Sequence, residues 1–359
     1  MSFAPNWVTP PGNTILDILE EKGMTIDAFS RNIREESNVI KDLLCGNYRI
    51  DSLLASKLKD SLGFSENFWL QRDKVFFERK QQLEAEWIKS LPLSEMKKRG
   101  WIDKKEKALD ACLNFFGVRS LSDWNLKYRN QINNLAFRKS QTFETDLFSI
   151  AAWVRKAEIQ TETYKIPTWN KDLFEQRLIE NIKPLTRVKN PKDFLPHLIK
   201  ECADCGVRLA IVPSLGKNRA SGAVKFVGNN ALMILSFRYL TDDHFWFTFF
   251  HEAGHLILHA KTEQLRVDTD SYESYNEDEH EANLFAVNCL VPYEIQHELE
   301  NLNSNKRKLI KFAANAGVSP GIVVGQMQFR KIISFSYLNA YKRRFTWDDI
   351  QEGLKSVNL

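Results

Sequence analysis

The chain has 359 residues, 43% apolar and 27% charged, and at roughly 100–200 residues per domain this predicts two or three domains, each able to bury a core. Its 50 basic and 46 acidic side chains leave a formal net charge of only +4, which selects neither nucleic acid nor an anionic membrane as partner. The densest apolar stretch, Phe245 to Ala260, is broken by His251, Glu252, His255 and His259, so no run of about 20 apolar residues exists to span a bilayer. The first residues lack the basic flank and apolar core of a secretory signal. The five scattered cysteines, Cys45, Cys112, Cys202, Cys205 and Cys289, are not the even set of a disulfide framework. A cytoplasmic protein with reduced thiols is the expectation.

In chain order, helical patterns run from Thr14 to Lys22, from Thr25 to Ile33, through a segment ending at Cys45-Gly46-Asn47, and from Ser52 to Leu62 before Gly63. Four or five short helices fit residues 14–70. Between Gln81 and about Lys200 apolar residues recur at helical spacing, as in Ala108, Cys112 and Phe115 and in Phe148, Ala151, Ala152 and Arg155. After Gly206, three β-rich runs, Val207 to Val212, Ala223 to Val227 and Leu232 to Phe237, are separated by Pro213, Gly216 and the Gly228-Asn229-Asn230 turn, which predicts a small antiparallel sheet. Helices resume near Asp243. The expected class is α+β, mostly α, with hinges near Gln81–Glu86 and Tyr164–Asn170 dividing the chain into residues 1–80, 81–165 and 166–359.

Residues 251–255 read His-Glu-Ala-Gly-His. On a helix, at 100° per residue, the two imidazoles project from one face one turn apart and can hold one Zn²⁺, with Glu252 beside it as the base that takes a proton from water. A third donor is expected on another element. With Glu279 set at 0° on a helical wheel, Ala282, Ala286, Cys289 and Leu290 fall within roughly 80° of it, whereas Glu281 sits near 200° and His280 near 100°. Glu279 therefore shares the apolar face and is the expected third ligand, because a carboxylate there is costly without a cation. Two imidazoles and a carboxylate favour zinc, although Mn²⁺ or Fe²⁺ suits a similar set.

Other polar residues have plainer roles. His259 extends the histidine row but reads as an orienting or capping group, and His244 as a structural residue at the helix start. Cys202 and Cys205 form one Cys-x-x-Cys with no second pair to complete a four-ligand site. The aromatic row Phe245, Trp246, Phe247, Phe249, Phe250 reads as packing around the site.

In the N-terminal region the second and third helices, joined near Arg34, have the size of a helix-turn-helix. Asn38, Lys41 and Asn47 are the candidates to reach bases or phosphates. Over Arg34 to Arg49 three basic residues (Arg34, Lys41, Arg49) balance three acidic ones (Glu35, Glu36, Asp42), whereas phosphate contacts want a basic surplus. DNA binding and a protein-docking or dimerisation role both stay open.

His251-Glu-Ala-Gly-His255, followed by Glu279-His-Glu-Ala-Asn-Leu-Phe-Ala286 and Leu290-Val-Pro292, resembles the ImmA/IrrE zinc metallopeptidases. The lead-in Leu235 to Thr248 and the later Gly317 to Gln326 resemble the subgroup with an N-terminal helix-turn-helix of the HigA antitoxin (XRE-like) type. Pro11-Gly12, Gly23-Met24-Thr25, Cys45-Gly46-Asn47 and Phe68-Trp69-Leu70 carry the N-terminal likeness. The pattern departs at Arg34, where the turn usually has glycine, and at Glu35-Glu36, where the next helix usually starts. The resemblance implies a minimal gluzincin-like peptidase domain, His251, His255 and Glu279 as zinc ligands, and Glu252 as general base. It also implies action in a stress, mobile-element or toxin-antitoxin circuit. Some members cleave a partner repressor; others are antitoxins that bind DNA and a cognate toxin.

Overall fold

The computed structural model describes residues 9–129, 144–216, 220–259, 266–269, 277–302 and 305–357. The chain divides into two compact units, Met1–Ser90 with Lys107–Asp110, and Leu91–Glu106 with Ala111–Leu359. Among the described residues no helix is long and apolar enough to cross a membrane.

The first unit holds α1 (Pro11–Glu21), α2 (Ile26–Ile33), α3 (Ser37–Leu44), α4 (Ser52–Leu62) and α5 (Glu66–Ser90). Thr25 and Asp51 cap α2 and α4 by accepting from the amides of Ala28 and Leu54, the side-chain capping that ends favour because first-turn N–H groups lack helical partners. The apolar stripes of these helices meet in one core of Ile15, Leu19, Phe29, Ile40, Leu58 and Trp69, among others. Arg34 closes α2 in the left-handed region (φ 54°, ψ 49°), the conformation that glycine takes without a Cβ penalty. Glu35 does not point freely from the turn: its carboxylate accepts from Lys57 Nζ at 2.7 Å. Asp73, buried on α5, accepts from Arg49 Nε at 2.7 Å and from the amide of Ile50 at 2.9 Å.

The second unit is built on a four-stranded sheet of β1 (Val207–Ile211), β2 (Ala220–Val227), β3 (Asn230–Leu235) and β4 (Arg266–Thr269), in the order β1-β3-β2-β4. Three of these strands match the expected β runs, although β2 starts earlier and β3 starts and ends earlier. The expectation of an antiparallel sheet is corrected: β1 runs parallel to β3, while β2 is antiparallel to both β3 and β4. The hairpin of β2 and β3 inserts its second arm beside β1, which aligns the two. Sequence alternation does not reveal this, because strands covered on both faces read as continuous apolar runs.

Both sheet faces are covered. Val207, Leu209, Ile211, Met233 and Leu235 join the larger core. Ala210, Val212, Leu232 and Ile234 meet Ile150, Trp153 and Ala157 of the helix α6 (Glu144–Thr161). That helix, assigned from its sequence to the middle region, is fixed to the sheet by Trp153 Nε1, which donates to the carbonyl of Val212 at 2.7 Å. The larger core contains α7 (Pro191–Asp204), α8 (Asp242–Leu258), α9 (Glu277–Leu290), α10 (Pro320–Phe329) and α11 (Trp347–Lys355). Of these α8 is buried on nearly every side, as expected of a helix with apolar residues all round.

Candidate metal centre

The two imidazoles project from α8 one turn apart, and α9 packs against that turn. Gly254 lets it come close, since a Cβ there would sit 3.2 Å from Ala282 Cα and from Phe285. Ala282, Ala286 and Leu290 turn inward, as the wheel predicts, and carry Glu279 to the same place. His251 Nε2 and His255 Nε2 are 3.1 Å apart, and Glu279 Oε2 lies 3.2 and 3.5 Å from them. These three ligand atoms lie within 4.8 Å of one another, and both imidazoles are buried.

Burial alone would raise the Glu279 carboxyl, but hydrogen bonding and charge from His251 and His255 outweigh it and hold the group well below the usual carboxylate range. Two imidazole nitrogens and a carboxylate oxygen converging in an apolar helix pair are costly as bare polar groups. They suit a borderline cation such as Zn²⁺, whose catalytic sites use three protein ligands and an open position. The residues present therefore fit a bound metal.

Asn283 is a functional candidate that the sequence reasoning missed. Its Oδ1 lies 3.0 Å from His251 Nδ1, the outward nitrogen whose hydrogen bond fixes ring orientation in a metal-binding histidine. The signal was available, because Asn283 stands four residues after Glu279 and thus about 40° from it on the same helix face. Gly222 is a second one: a Cβ at this position would overlap the Glu252 carboxylate. Glu252 itself is fully buried on α8 against β2. A glycine inside a strand often marks such a close approach.

The remaining candidates separate cleanly. His259 closes α8 with its Nε2 3.0 Å from the carbonyl oxygen of Asp278 and stays outside the trio. Glu281 is exposed, with Oε2 3.7 Å from His259, and His280 is exposed. His244 packs against Tyr239 with ring centres 4.3 Å apart and planes tilted by 33°. Cys202 and Cys205 lie in the core as free thiols; burial pushes the first well above its ordinary value and the second up to about 11, so neither offers the thiolate that binds metal. Asn38, Lys41 and Asn47 are all exposed on or just after α3, far in sequence from the trio and in the other compact unit.

No curated protein and no solved structure matches the chain. Residues 214–326, which carry His251, Glu252, His255 and Glu279, match the Peptidase_M78 family, described as the IrrE N-terminal-like domain, and over that stretch the chain is similar to a peptidase family.

Proposed function

We propose that this protein is a cytoplasmic, zinc-dependent endopeptidase that cuts a specific regulatory protein, a repressor or a cognate toxin, in a stress, mobile-element or toxin-antitoxin circuit. The observation that carries this reading is the convergence of His251, His255 and Glu279 within 4.8 Å, beside a buried Glu252. His251 and His255 would hold the metal through Nε2 and Glu279 through Oε2. Bound zinc supplies Lewis-acid activation of water and of a scissile carbonyl. The Glu252 carboxylate would serve as the base that takes a proton from the attacking water and returns it to the leaving amine nitrogen. Asn283 fixes the His251 ring, and the substrate lies extended along an edge of the sheet.

A second reading is a HigA-like antitoxin or transcriptional regulator in which the zinc domain is a sensor or scaffold. It draws on the exposure of Asn38, Lys41 and Asn47 and on the Lys57–Glu35 pair, which offsets one of the two negative charges at the start of α3. In either reading the N-terminal unit recruits a partner, DNA or protein, or forms a homodimer.

The test is elemental analysis of chelator-free wild type and of His255→Ala and Glu279→Ala, followed by mapping of new protein N-termini in cells carrying wild type or Glu252→Gln. About one zinc per chain, lost in both ligand variants, together with N-termini that vanish in Glu252→Gln, is the expected result. A folded wild type without metal, or cleavage that survives in metal-loaded Glu252→Gln, sinks the peptidase reading. Toxin neutralisation or operator repression unchanged in Glu252→Gln favours the second reading.

A further inference from the structure

Although the whole chain carries a net charge of only +4, the stretch from Asn301 to Trp347 holds nine basic residues and no acidic one. Within that stretch, residues 330–341 form a compact loop that follows α10. We propose that this loop is a docking site for an acidic segment with an aromatic or leucine anchor, carried by the protein that the enzyme cuts. That the occupant is the substrate rests on the peptidase reading above. The place of the loop suits such a role. Phe329 closes α10 with its ring centre 6.2 Å from that of Phe247, which in turn lies 6.3 Å from the His251 imidazole. The loop therefore leaves α10 beside the metal centre.

The loop is held from inside. Ile332, Ile333, Leu338 and Tyr341 pack against the larger core. Gln328, buried on α10, donates from Nε2 to the carbonyls of Phe335 at 3.2 Å and Tyr337 at 2.8 Å and to Asn339 Oδ1 at 2.9 Å. Its Oε1 accepts from Lys342 Nζ at 2.6 Å, and Lys342 is paired with Asp243 of α8 at 2.6 Å. The chain beyond is tied down as well: the amide of Asp242 donates to the carbonyl of Arg343 at 3.0 Å, and the amide of Phe345 to that of Leu240 at 2.8 Å. Lys331 and Leu338 both adopt a φ of 61°, a conformation unfavourable for bulky residues that persists where surrounding structure enforces it and clusters at ligand clamps.

This framework presents aromatic rings and cations. Phe335 is 69% exposed and Tyr337 45%, on a tip that reads Ser334-Phe335-Ser336-Tyr337-Leu338-Asn339. Protein-binding loops favour this mixture, because rigid aromatics bring large contact area at low entropic cost while small polar residues adapt their hydrogen bonds. Arg330 and Lys331 at the start of the loop and Arg344 just after it are exposed and make no ion pair among the described residues. Lys342 is neutralised by Asp243, and Arg343 turns inward to donate to the carbonyls of Thr186 and Val188. Asp242 is bonded to Ser319 Oγ and to the amide of Arg343. The segment Tyr293–Leu302 carries Glu294, Glu298 and Glu300, and Arg330 meets it through the neutral side chain of Gln296. A few cations around two rings match one or two carboxylates beside an apolar anchor. A nucleic acid, with phosphates repeating along its strand, wants a larger basic surplus than those three glutamates leave.

The test uses the full chain carrying Glu252→Gln, so that probes stay intact, with fluorescein-labelled probes read by anisotropy. They are a hexapeptide with Leu-Phe at its centre and Asp or Glu elsewhere, the same peptide with Asn and Gln in place of the acids, the acidic peptide with a Ser-Ser centre, and a thymidine decanucleotide. The first is expected to bind about tenfold or more tightly than each of the others. Phe335→Ser and Tyr337→Ser should each remove most of that advantage, and Arg330→Gln with Lys331→Gln should remove the preference for acid over amide. Phe64→Ser, which alters an exposed ring of the first unit, should change nothing, and circular dichroism checks the fold of every variant. Equal or absent binding of the three peptides, a preference untouched by Phe335→Ser and Tyr337→Ser, or tighter binding of the oligonucleotide overturns the proposal. With Glu252 restored, Phe335→Ser/Tyr337→Ser should slow cleavage of the cellular protein found by N-terminus mapping at least fivefold and spare a short neutral fluorogenic peptide; equal slowing of both, or of neither, overturns the assignment of the occupant as substrate. Peptide binding by a protein that cuts nothing sinks the peptidase reading alone.

Discussion

Gly222 of β2 lies so close to Glu252 of α8 that a side chain on the first would occupy the place of the second's carboxylate. Its backbone is not in the left-handed region, so alanine is conformationally allowed there and the conflict is purely steric. Gly222→Ala is therefore expected to displace Glu252, keep zinc, and lower turnover by about 100-fold, the scale that follows from moving a reacting group by about 1 Å. Turnover on a fluorogenic peptide that wild type cleaves, set beside zinc content, checks this. An alanine variant with full activity would show that the base does not need this seat.

Asn283 tests the outer support of the metal. Replacing it with alanine removes the acceptor facing His251 Nδ1 and should weaken zinc binding about 10- to 100-fold, the usual cost of losing such a partner. Asn283→Asp keeps an acceptor and should bind zinc at least as well. Competition with a coloured chelator measures both, and equal affinity in wild type and Asn283→Ala would deny the residue this role.

The ion pair of Lys342 and Asp243 can be separated from its surroundings by a double-mutant cycle. Asp243→Ala leaves a mostly buried ammonium beside Gln328 and should cost about 3–5 kcal/mol of stability. Adding Lys342→Met to that variant should restore most of the loss, because the stranded charge is what costs. Urea unfolding of the four proteins gives the answer, and a double variant no more stable than Asp243→Ala would place the cost elsewhere.

At the other end of the chain, Arg34→Gly should stabilise the first unit by up to about 1 kcal/mol, since a left-handed residue with a Cβ is strained by roughly 1–2 kcal/mol and glycine returns part of that as backbone entropy. Thermal melting of the full chain, followed by an N-terminal probe, reports the change. A lower midpoint would mean that the Arg34 side chain contributes more than its backbone costs.

Burial pushes four thiols up, Cys202 well above its ordinary value, Cys112 and Cys205 to about 11 and Cys289 to about 12. The unfolded chain, with thiols near 9, gives up these protons first, so stability is unaffected by them at neutral pH and declines as pH rises from about 9 towards 11. Unfolding free energies at pH 8 to 11 should fall along this window, and Cys289→Ala should fall less steeply. An identical slope would mean that Cys289 ionises as readily in the folded protein as in the unfolded one.

How much of this was legible in the sequence depends on which periodicity carried the information. His251, His255 and Glu279 were readable because a helix converts spacing into direction, and the same wheel would have yielded Asn283 had the polar positions been followed as far as the apolar ones. The parallel pairing of β1 with β3 was not readable, since both faces of these strands are buried and no alternation survives to report orientation. Nor was Gly222, whose importance arises from a residue 30 positions later on another element. Arg34 was conspicuous as a non-glycine in a turn, and its left-handed backbone shows that the turn forms despite the side chain.

The strand-like contact between residues 343–345 and the start of α8 carries a consequence for biosynthesis. Synthesis from the N-terminus delivers His251, His255 and Glu279 well before Arg343 and Phe345, so an emerging chain holds the donor set while the leading turn of its helix is still without its last backbone partners. A fragment cut at residue 326, the limit of the family match, would be stalled at that same stage. The first turn of α8 thus gains these backbone partners only after residues 343–345 have been made, about 60 residues behind Glu279.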